Sequence, residues 1–194
     1  MNRRGYMQRR VDTRELRDTF LIVCEGEKTE PKYFEGFRVP KEIVKIIGLG
    51  HNTLSLVQEA IKLRQQENYD QVWCVFDRDS FSASQFNEAF ALAKREDIRI
   101  AYSNEAFELW YLLHFHYYDT AIHRADYIKK LSALLGSKYK KNSPDIYARL
   151  LEKQPAAIKN AKRLLRQYRP PHPESDNPST TVHELVEQLN RFLV

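Results

Sequence analysis

The sequence predicts an α/β protein in which a parallel β-sheet is covered by helices on both faces and is followed by an all-helical C-terminal region. Strand and helix signals alternate in the order β-α-β-α-β-α-β up to about residue 104. The predicted strands are short and almost continuously apolar, which is typical of strands buried on both faces of a parallel sheet. After residue 104 the remaining signals are helical. This order indicates an α/β core with a helical extension.

Four strands and three helices make up the predicted sheet region. The predicted strands are residues 19–24, 44–49, 71–76 and 98–103. Each is rich in apolar, β-branched or aromatic side chains. Thr29 is predicted to cap the first helix, with Pro31 in its first turn. Thr53 begins a second helix through about residue 68, and Ser82 or Ser84 begins the third.

Helical periodicity continues through the second half of the chain. The predicted helices are residues 105–115, 124–135, 143–168 and 180–193. We expect a break in the third of these at Pro155. Ser179 or Thr180 is predicted to cap the last helix, after a proline-rich connector at 170–178. The predicted organisation is therefore a basic arm at 1–17, an α/β core at 18–120 and a helical region at 121–194 packed on the core.

Length and composition narrow the class of protein. A chain of 194 residues is long enough to bury a hydrophobic core. Its apolar runs are too short to span a membrane, so no membrane association is expected. Its cysteines, Cys24 and Cys74, are too few for a disulfide framework and are predicted to be buried thiols. These features favour a cytoplasmic globular protein.

The net charge of +5 is the sum of four segments of alternating sign. Residues 1–17 carry six arginines against two acids, and residues 18–137 carry 14 bases against 18 acids. Residues 138–169 carry ten bases against two acids, and residues 170–194 carry one base against four acids. An acidic middle between basic flanks is typical of metal-dependent nucleases, whose carboxylates bind an ion while bases bind phosphates. A solvated surface explains the same charges.

Acidic side chains follow two of the predicted strands. Glu25 and Glu27 follow the first strand, and Asp77 and Asp79 follow the third. In an open parallel sheet, ligands bind beyond the carboxyl ends of the strands. Asp77 and Asp79 point the same way along an extended chain, where their charges repel unless a cation lies between them. Oxygen ligands favour Mg²⁺ or Mn²⁺ over zinc, although tight turns with solvated acids explain the pattern too.

A second candidate surface is cationic and helical. Lys159, Lys162, Arg163 and Arg166 recur at helical spacing and predict one basic face that suits a nucleic-acid backbone. The alternative is an ordinary solvated helix. The chain has no phosphate-binding P-loop, no dinucleotide fingerprint and no zinc-ligand spacing. An ATPase is therefore not expected within this chain and would have to be supplied by a partner protein.

Several segments together resemble known families. The segment from Phe20 to Glu30, followed by Asp77-Arg78-Asp79, resembles the Toprim domain of OLD-family nucleases. The segments 103–115 and 177–183, with the arginine-rich start, resemble the RloB-like family. Those proteins are bacterial and are associated with restriction-modification and phage-defence loci. The sequence departs from the family pattern at Glu105, where a proline is expected.

The resemblance implies a site that uses Mg²⁺ or Mn²⁺. Glu25 would be a general base or metal ligand, and Asp77 and Asp79 would hold the ion. Gly26 would let the backbone approach a phosphate, because it has no Cβ. Lys28 would neutralise that phosphate, unless it is simply a mobile surface lysine.

The roles predicted for the remaining candidate residues are less specific. Glu108 is either part of the catalytic site or a structural acid in a salt bridge. Arg78, between the two aspartates, is grouped with the phosphate-binding residues. Glu30 needs no role beyond that of an acid in the first turn of a helix. His114 and His183 are expected to be packed or capping histidines rather than catalytic ones.

The function that these residues predict is Mg²⁺-dependent hydrolysis of phosphodiesters by a nuclease. Two alternatives remain at this stage. The first is a non-catalytic module that binds nucleic acid or a nucleotide and works with a partner protein. The second is a nucleotidyltransferase or phosphotransferase that uses the same acids with a different acceptor.

Overall fold

The computed structural model describes residues 18–50, 53–78 and 82–192, and within them the chain forms a mostly parallel sheet. The strands are β1 (Phe20–Cys24), β2 (Val44–Gly48), β3 (Gln71–Asp77), β4 (Arg99–Asn104) and β5 (Ser179–Thr180). Their order across the sheet is β2-β1-β3-β4-β5. The first four are parallel, and β5 is antiparallel to β4. The α/β class and the four predicted strands are confirmed, each to within one residue at either end.

Helices connect the strands and make up most of the second half of the described chain. Those of the sheet region are α1 (Thr29–Glu35), α2 (Thr53–Gln66) and α3 (Ala83–Arg95). Those that follow β4 are α4 (Glu108–Leu113), α5 (Arg124–Leu135), α6 (Ile146–Leu150), α7 (Gln154–Leu165) and α8 (Val182–Asn190). Across the described ranges, no helix combines the length and apolar character needed to cross a membrane.

Strand alternation divides the core into two layers. Phe20 and Ile22 face a cluster shared with α1 and the helices after β4. Leu21 and Val23 face the opposite cluster, which α2 and α3 cover. Successive side chains of a strand point to opposite faces, so β1 is apolar throughout because both of its faces are buried. Both cysteines are buried, as predicted, and burial raises the pKa of each thiol.

The layer formed by α1 and the helices after β4 is rich in aromatic side chains. The ring of Tyr33 lies within 6.4 Å of those of Phe37, Phe107 and Trp110, centroid to centroid. Edge-to-face contacts of this kind stabilise a core beyond the area that they bury. Asp77 lies two residues along β3 from Val75, which belongs to this same layer. The helical region therefore covers the face of the sheet onto which Asp77 projects.

Two of the predicted helix starts need correction. Lys28, not Thr29, is the N-cap of α1, because the Lys28 carbonyl already accepts the first hydrogen bond, from the Lys32 amide. The predicted helix at 105–115 begins only at Glu108, the first residue of α4. Of the two predicted starts of α3, Ser82 is the N-cap, since its hydroxyl accepts a hydrogen bond from the Gln85 amide.

The end of the chain also differs from the prediction. Ser179 and Thr180 do not cap the last helix, because they form β5 and pair with β4. The helix instead begins at Val182. The helix predicted at 143–168 is interrupted, but the break comes before Pro155, as a 3₁₀ turn at Leu151–Lys153 that separates α6 from α7. Pro155 lies in the first turn of α7, where its missing amide hydrogen costs nothing.

Candidate functional site

The acids that follow β1 and β3 lie together at one edge of the sheet. The two strands are neighbours, and the Glu25 amide donates a hydrogen bond of 2.8 Å to the Val75 carbonyl. The Asp77 amide in turn donates to Oε2 of Glu25 at 3.0 Å. Asp79, the third predicted ligand, lies outside the described residues, as does the basic arm at 1–17. The structure thus brings Glu25 and Asp77 into direct contact.

Two more carboxylates join them, and we call Glu25, Glu30, Asp77 and Glu108 the acid cluster. Glu30 is 6% exposed, Asp77 4% and Glu108 2%. Burial raises the pKa of Asp77, and the charge of Glu30 raises it further. Burial likewise raises the pKa of Glu30, with a further contribution from Glu108. The acids therefore lie within electrostatic reach of one another, where their negative charges repel.

The sequence predicts for Glu30 only the role of a favourable acid in the first turn of a helix, whereas the structure places it in the acid cluster. Its carboxylate packs directly against Gly26, so that a Cβ at position 26 would collide with it. The absence of a side chain at Gly26 therefore makes room for Glu30 in the acid cluster. Sequence reasoning missed this, because an acid in the first turn of a helix is usually exposed.

Three groups of the helical region neutralise or hydrogen-bond the acid cluster. Nη2 of Arg124, the first residue of α5, lies 2.6 Å from Oδ2 of Asp77. Nζ of Lys141 lies 3.7 Å from Oε1 of Glu108. The Tyr139 hydroxyl donates a hydrogen bond of 3.3 Å to the same oxygen of Glu108. Only the basic composition of residues 138–169 signalled any of this from the sequence.

The chemistry of the cluster fits a hard cation. Oδ1 of Asp77 and Oε2 of Glu30 are buried and have no hydrogen-bond partner among the residues that the structure describes. A buried acceptor without a partner is costly, and a cation bound to it removes that cost. Oxygen donors of this type suit Mg²⁺ or Mn²⁺. Within the described ranges, however, no three His, Cys, Asp or Glu side chains converge on one ion position.

The predicted phosphate contacts near the acids have different surroundings. Lys28 is exposed at the start of α1. Nε of Arg78 donates a hydrogen bond of 2.9 Å to the Glu174 carbonyl, and its guanidinium lies 5.4 Å from the centre of the Phe86 ring. Arg78 therefore ties the end of β3 to the connector before β5.

The predicted basic face lies on α7 and the residue after it. Lys162 pairs with Glu187 of α8, and its Nζ is 2.6 Å from Oε1. The Arg163 guanidinium stacks on the ring of Tyr117 at 3.7 Å from the ring centre. Lys159 and Arg166 are exposed. The face therefore presents four basic side chains, of which Lys162 is paired with an acid.

His114 and His183 are both buried, as predicted. Nδ1 of His114 lies 2.9 Å from the Trp110 carbonyl, so Nδ1 must carry a hydrogen. Burial lowers the pKa of His114 to about 4, and it lowers that of His183 to about 4 as well. Both rings are therefore neutral near pH 7.

We expect acid to destabilise the fold through these histidines. Each has a folded-state pKa below the value of 6.5 of an unperturbed histidine, so protonation favours the unfolded chain. Their contribution is complete above about pH 6.5 and is lost as the pH falls toward 4. For His114 the free energy of unfolding should fall by about 2 kcal/mol between pH 7 and pH 5.

Denaturant unfolding at the two pH values measures this fall. His114→Asn keeps an N–H near the position of Nδ1 but does not titrate, so its loss between pH 7 and pH 5 should be about 2 kcal/mol smaller than that of the wild type. His116→Asn is the control, because His116 is exposed. Equal pH dependence in the wild type and His114→Asn would contradict the prediction.

Comparison with known proteins identifies the family of this chain. A family model described as RloB-like protein matches residues 20–189. That span runs from the first residue of β1 almost to the end of α8, so it includes the sheet, the acid cluster and the helical region. No curated protein and no solved structure gave a match. The chain belongs to the RloB-like family.

Proposed function

We propose that this protein is a Mg²⁺- or Mn²⁺-dependent nuclease with a Toprim-type core, acting in a bacterial phage-defence or restriction system in the cytoplasm. The observation that supports the proposal best is the contact between Glu25 and Asp77 at the carboxyl edge of the sheet. Beside that contact, Asp77 and Glu30 each have a buried carboxylate oxygen that accepts no hydrogen bond from the described part of the chain. An unbalanced set of buried acids at this edge suits the binding of a divalent cation.

Each residue of the site then has a task. Glu25, Asp77 and Asp79 would hold the ion, which when bound polarises the scissile phosphate. Glu25 is the most exposed member of the acid cluster, so it can also accept the proton of an attacking water. Glu108 contacts Tyr139 and Lys141, and its charge would raise the pKa of Glu30 and Asp77. The basic face on α7 would bind the nucleic-acid backbone.

One observation favours a second function, a module that binds nucleic acid or a nucleotide without turnover. Arg124 and Lys141 already pair with Asp77 and Glu108, so part of the acidic charge is balanced by the chain itself. Such a module would act through a partner protein, for example an ATPase. It predicts salt-dependent binding with no chemical change in the ligand.

Incubation of the purified protein with DNA, RNA and tRNA separates these functions. We expect cleavage with Mg²⁺ or Mn²⁺ and none with EDTA, because the acids need a cation to act on a phosphodiester. Parallel reactions that include nucleoside triphosphates detect transfer to an acceptor in place of hydrolysis. Tight binding of nucleic acid with no product under any of these conditions would reject the nuclease in favour of the binding module.

A further inference from the structure

The acid cluster is covered by more exposed cations. The side chain of Arg124 is 42% exposed, whereas that of Asp77 is 6% exposed. The side chain of Lys141 is 46% exposed, whereas that of Glu108 is 3% exposed. In each pair the base is the member that solvent reaches. An anion that approaches either pair therefore meets its positively charged member first.

The position of Arg124 in its helix is poor for stability. It is the first residue of α5, where the partial positive charge of the helix dipole repels a cation. Its partner Asp77 belongs to the sheet, 47 residues earlier in the chain. An arginine at the positive end of a helix adds little to the stability of that helix, and here its side chain contacts a buried carboxylate of the sheet instead. This placement points to a functional role.

We propose that Arg124 is a phosphate-binding residue of this site, and that it exchanges Asp77 for a phosphate of the substrate when a divalent cation binds Asp77. The proposal rests on the nuclease function proposed above. Arg124 and the divalent cation compete for the same carboxylate, and their like charges repel when both are close to it. A guanidinium matches the geometry of two phosphate oxygens, so a substrate phosphate offers it a charged partner of equal quality.

If Arg124 competes with the metal ion and also binds phosphate, its removal should change the affinities for Mn²⁺ and for an oligonucleotide in opposite directions. Arg124→Gln removes the competing charge, so Mn²⁺ alone should bind about three- to tenfold more tightly by calorimetry. The same variant loses a charge-assisted contact to phosphate. Its affinity for a labelled phosphorothioate oligonucleotide, measured by fluorescence anisotropy in Mn²⁺, should fall about tenfold. A residue with only a structural role would move both affinities in the same direction, together with the unfolding temperature.

Two further variants make the result specific. Lys129→Gln removes an exposed positive charge from the same helix and should change oligonucleotide binding by less than about threefold and leave Mn²⁺ binding unchanged. Arg124→Lys keeps the charge but loses the fork of donors. It should therefore bind Mn²⁺ like the wild type and the oligonucleotide more weakly. If Arg124→Gln does not fold, unchanged oligonucleotide binding by Arg124→Lys overturns the proposal, and weakened binding supports it.

The outcomes separate this proposal from the proposed function. Opposite shifts in Arg124→Gln support the exchange even if the wild type cleaves no nucleic acid, in which case only the nuclease function fails. Parallel or absent shifts overturn the exchange, even if the wild type is an active metal-dependent nuclease.

Discussion

Replacement of Asp77 by Asn is expected to lower the rate of metal-dependent phosphodiester hydrolysis by about a thousandfold or more while the protein stays folded. Asp77 is the last residue of β3. The donor of its hydrogen bond to the Glu25 carboxylate is the main-chain amide, so the substitution leaves this bond in place. What the variant loses is one negative oxygen ligand. An amide binds Mg²⁺ far more weakly than a carboxylate, because it carries no charge.

The stability of Asp77→Asn should change by no more than about 1 kcal/mol, because two effects oppose each other. Burial and the charge of Glu30 raise the pKa of Asp77, so the ionised carboxylate is destabilised where it lies. Its removal relieves that cost. The variant also removes the charge of Asp77 from the vicinity of Arg124, but the side chain of Arg124 is 42% exposed and water can solvate it.

Single-turnover cleavage in Mn²⁺ and denaturant unfolding, performed on the same preparations, measure both effects. Asp119→Asn is the matched control, since it makes the same chemical change at an exposed position outside the acid cluster. It should retain wild-type activity and stability. A fully active Asp77→Asn would remove Asp77 from the proposed metal site, and an unfolded one would show that the Arg124 ion pair is essential to the fold.

The outline of the fold follows from local sequence patterns, but the composition of the acid cluster does not. The strands β1 and β3 are recognisable as continuous apolar runs, and Glu25 and Asp77 are recognisable because they come directly at or after the ends of those runs. β5 has two residues, too few to show any periodicity, so the sequence predicts a helix start there instead. Its existence depends on pairing with β4, 77 residues away at Ser103 and Thr180.

The residues that balance the acids are unpredictable for the same reason. Arg124 and Lys141 each read as an ordinary surface base, since nothing within a turn of helix indicates a buried partner. Their partners are fixed only when the helical region packs on the aromatic layer around Tyr33 and Trp110. Glu30 is similar, because its burial depends on the lack of a side chain at Gly26. Charge patterning along a sequence therefore indicates that ions will be held, but packing decides which side chains hold them.

Gly48→Ala is expected to have the largest effect on both stability and the site among the glycine variants of the sheet edge. Gly48 ends β2, opposite Cys24 of β1. A Cβ at this position would lie 2.6 Å from the Gly26 carbonyl oxygen and 2.8 Å from Cα of Glu27. Both are main-chain atoms, so no side-chain rotation relieves the contact. The turn that carries Glu25 would have to move, at a cost of about 2 to 3 kcal/mol.

Activity should fall by about a hundredfold in Gly48→Ala even where the variant is fully folded, because a shift of about 1 Å in a catalytic group has an effect of that size. Gly136→Ala is the control. Gly136 has a φ of 65°, and no atom of the described residues lies within 4 Å of the added Cβ, so the substitution strains the backbone by about 1 kcal/mol without touching the acids. Its activity should match that of the wild type. If the two variants lose equal stability and both stay active, the close approach of β2 to the turn after β1 does not position Glu25, and the acid cluster must be held by the helical region alone.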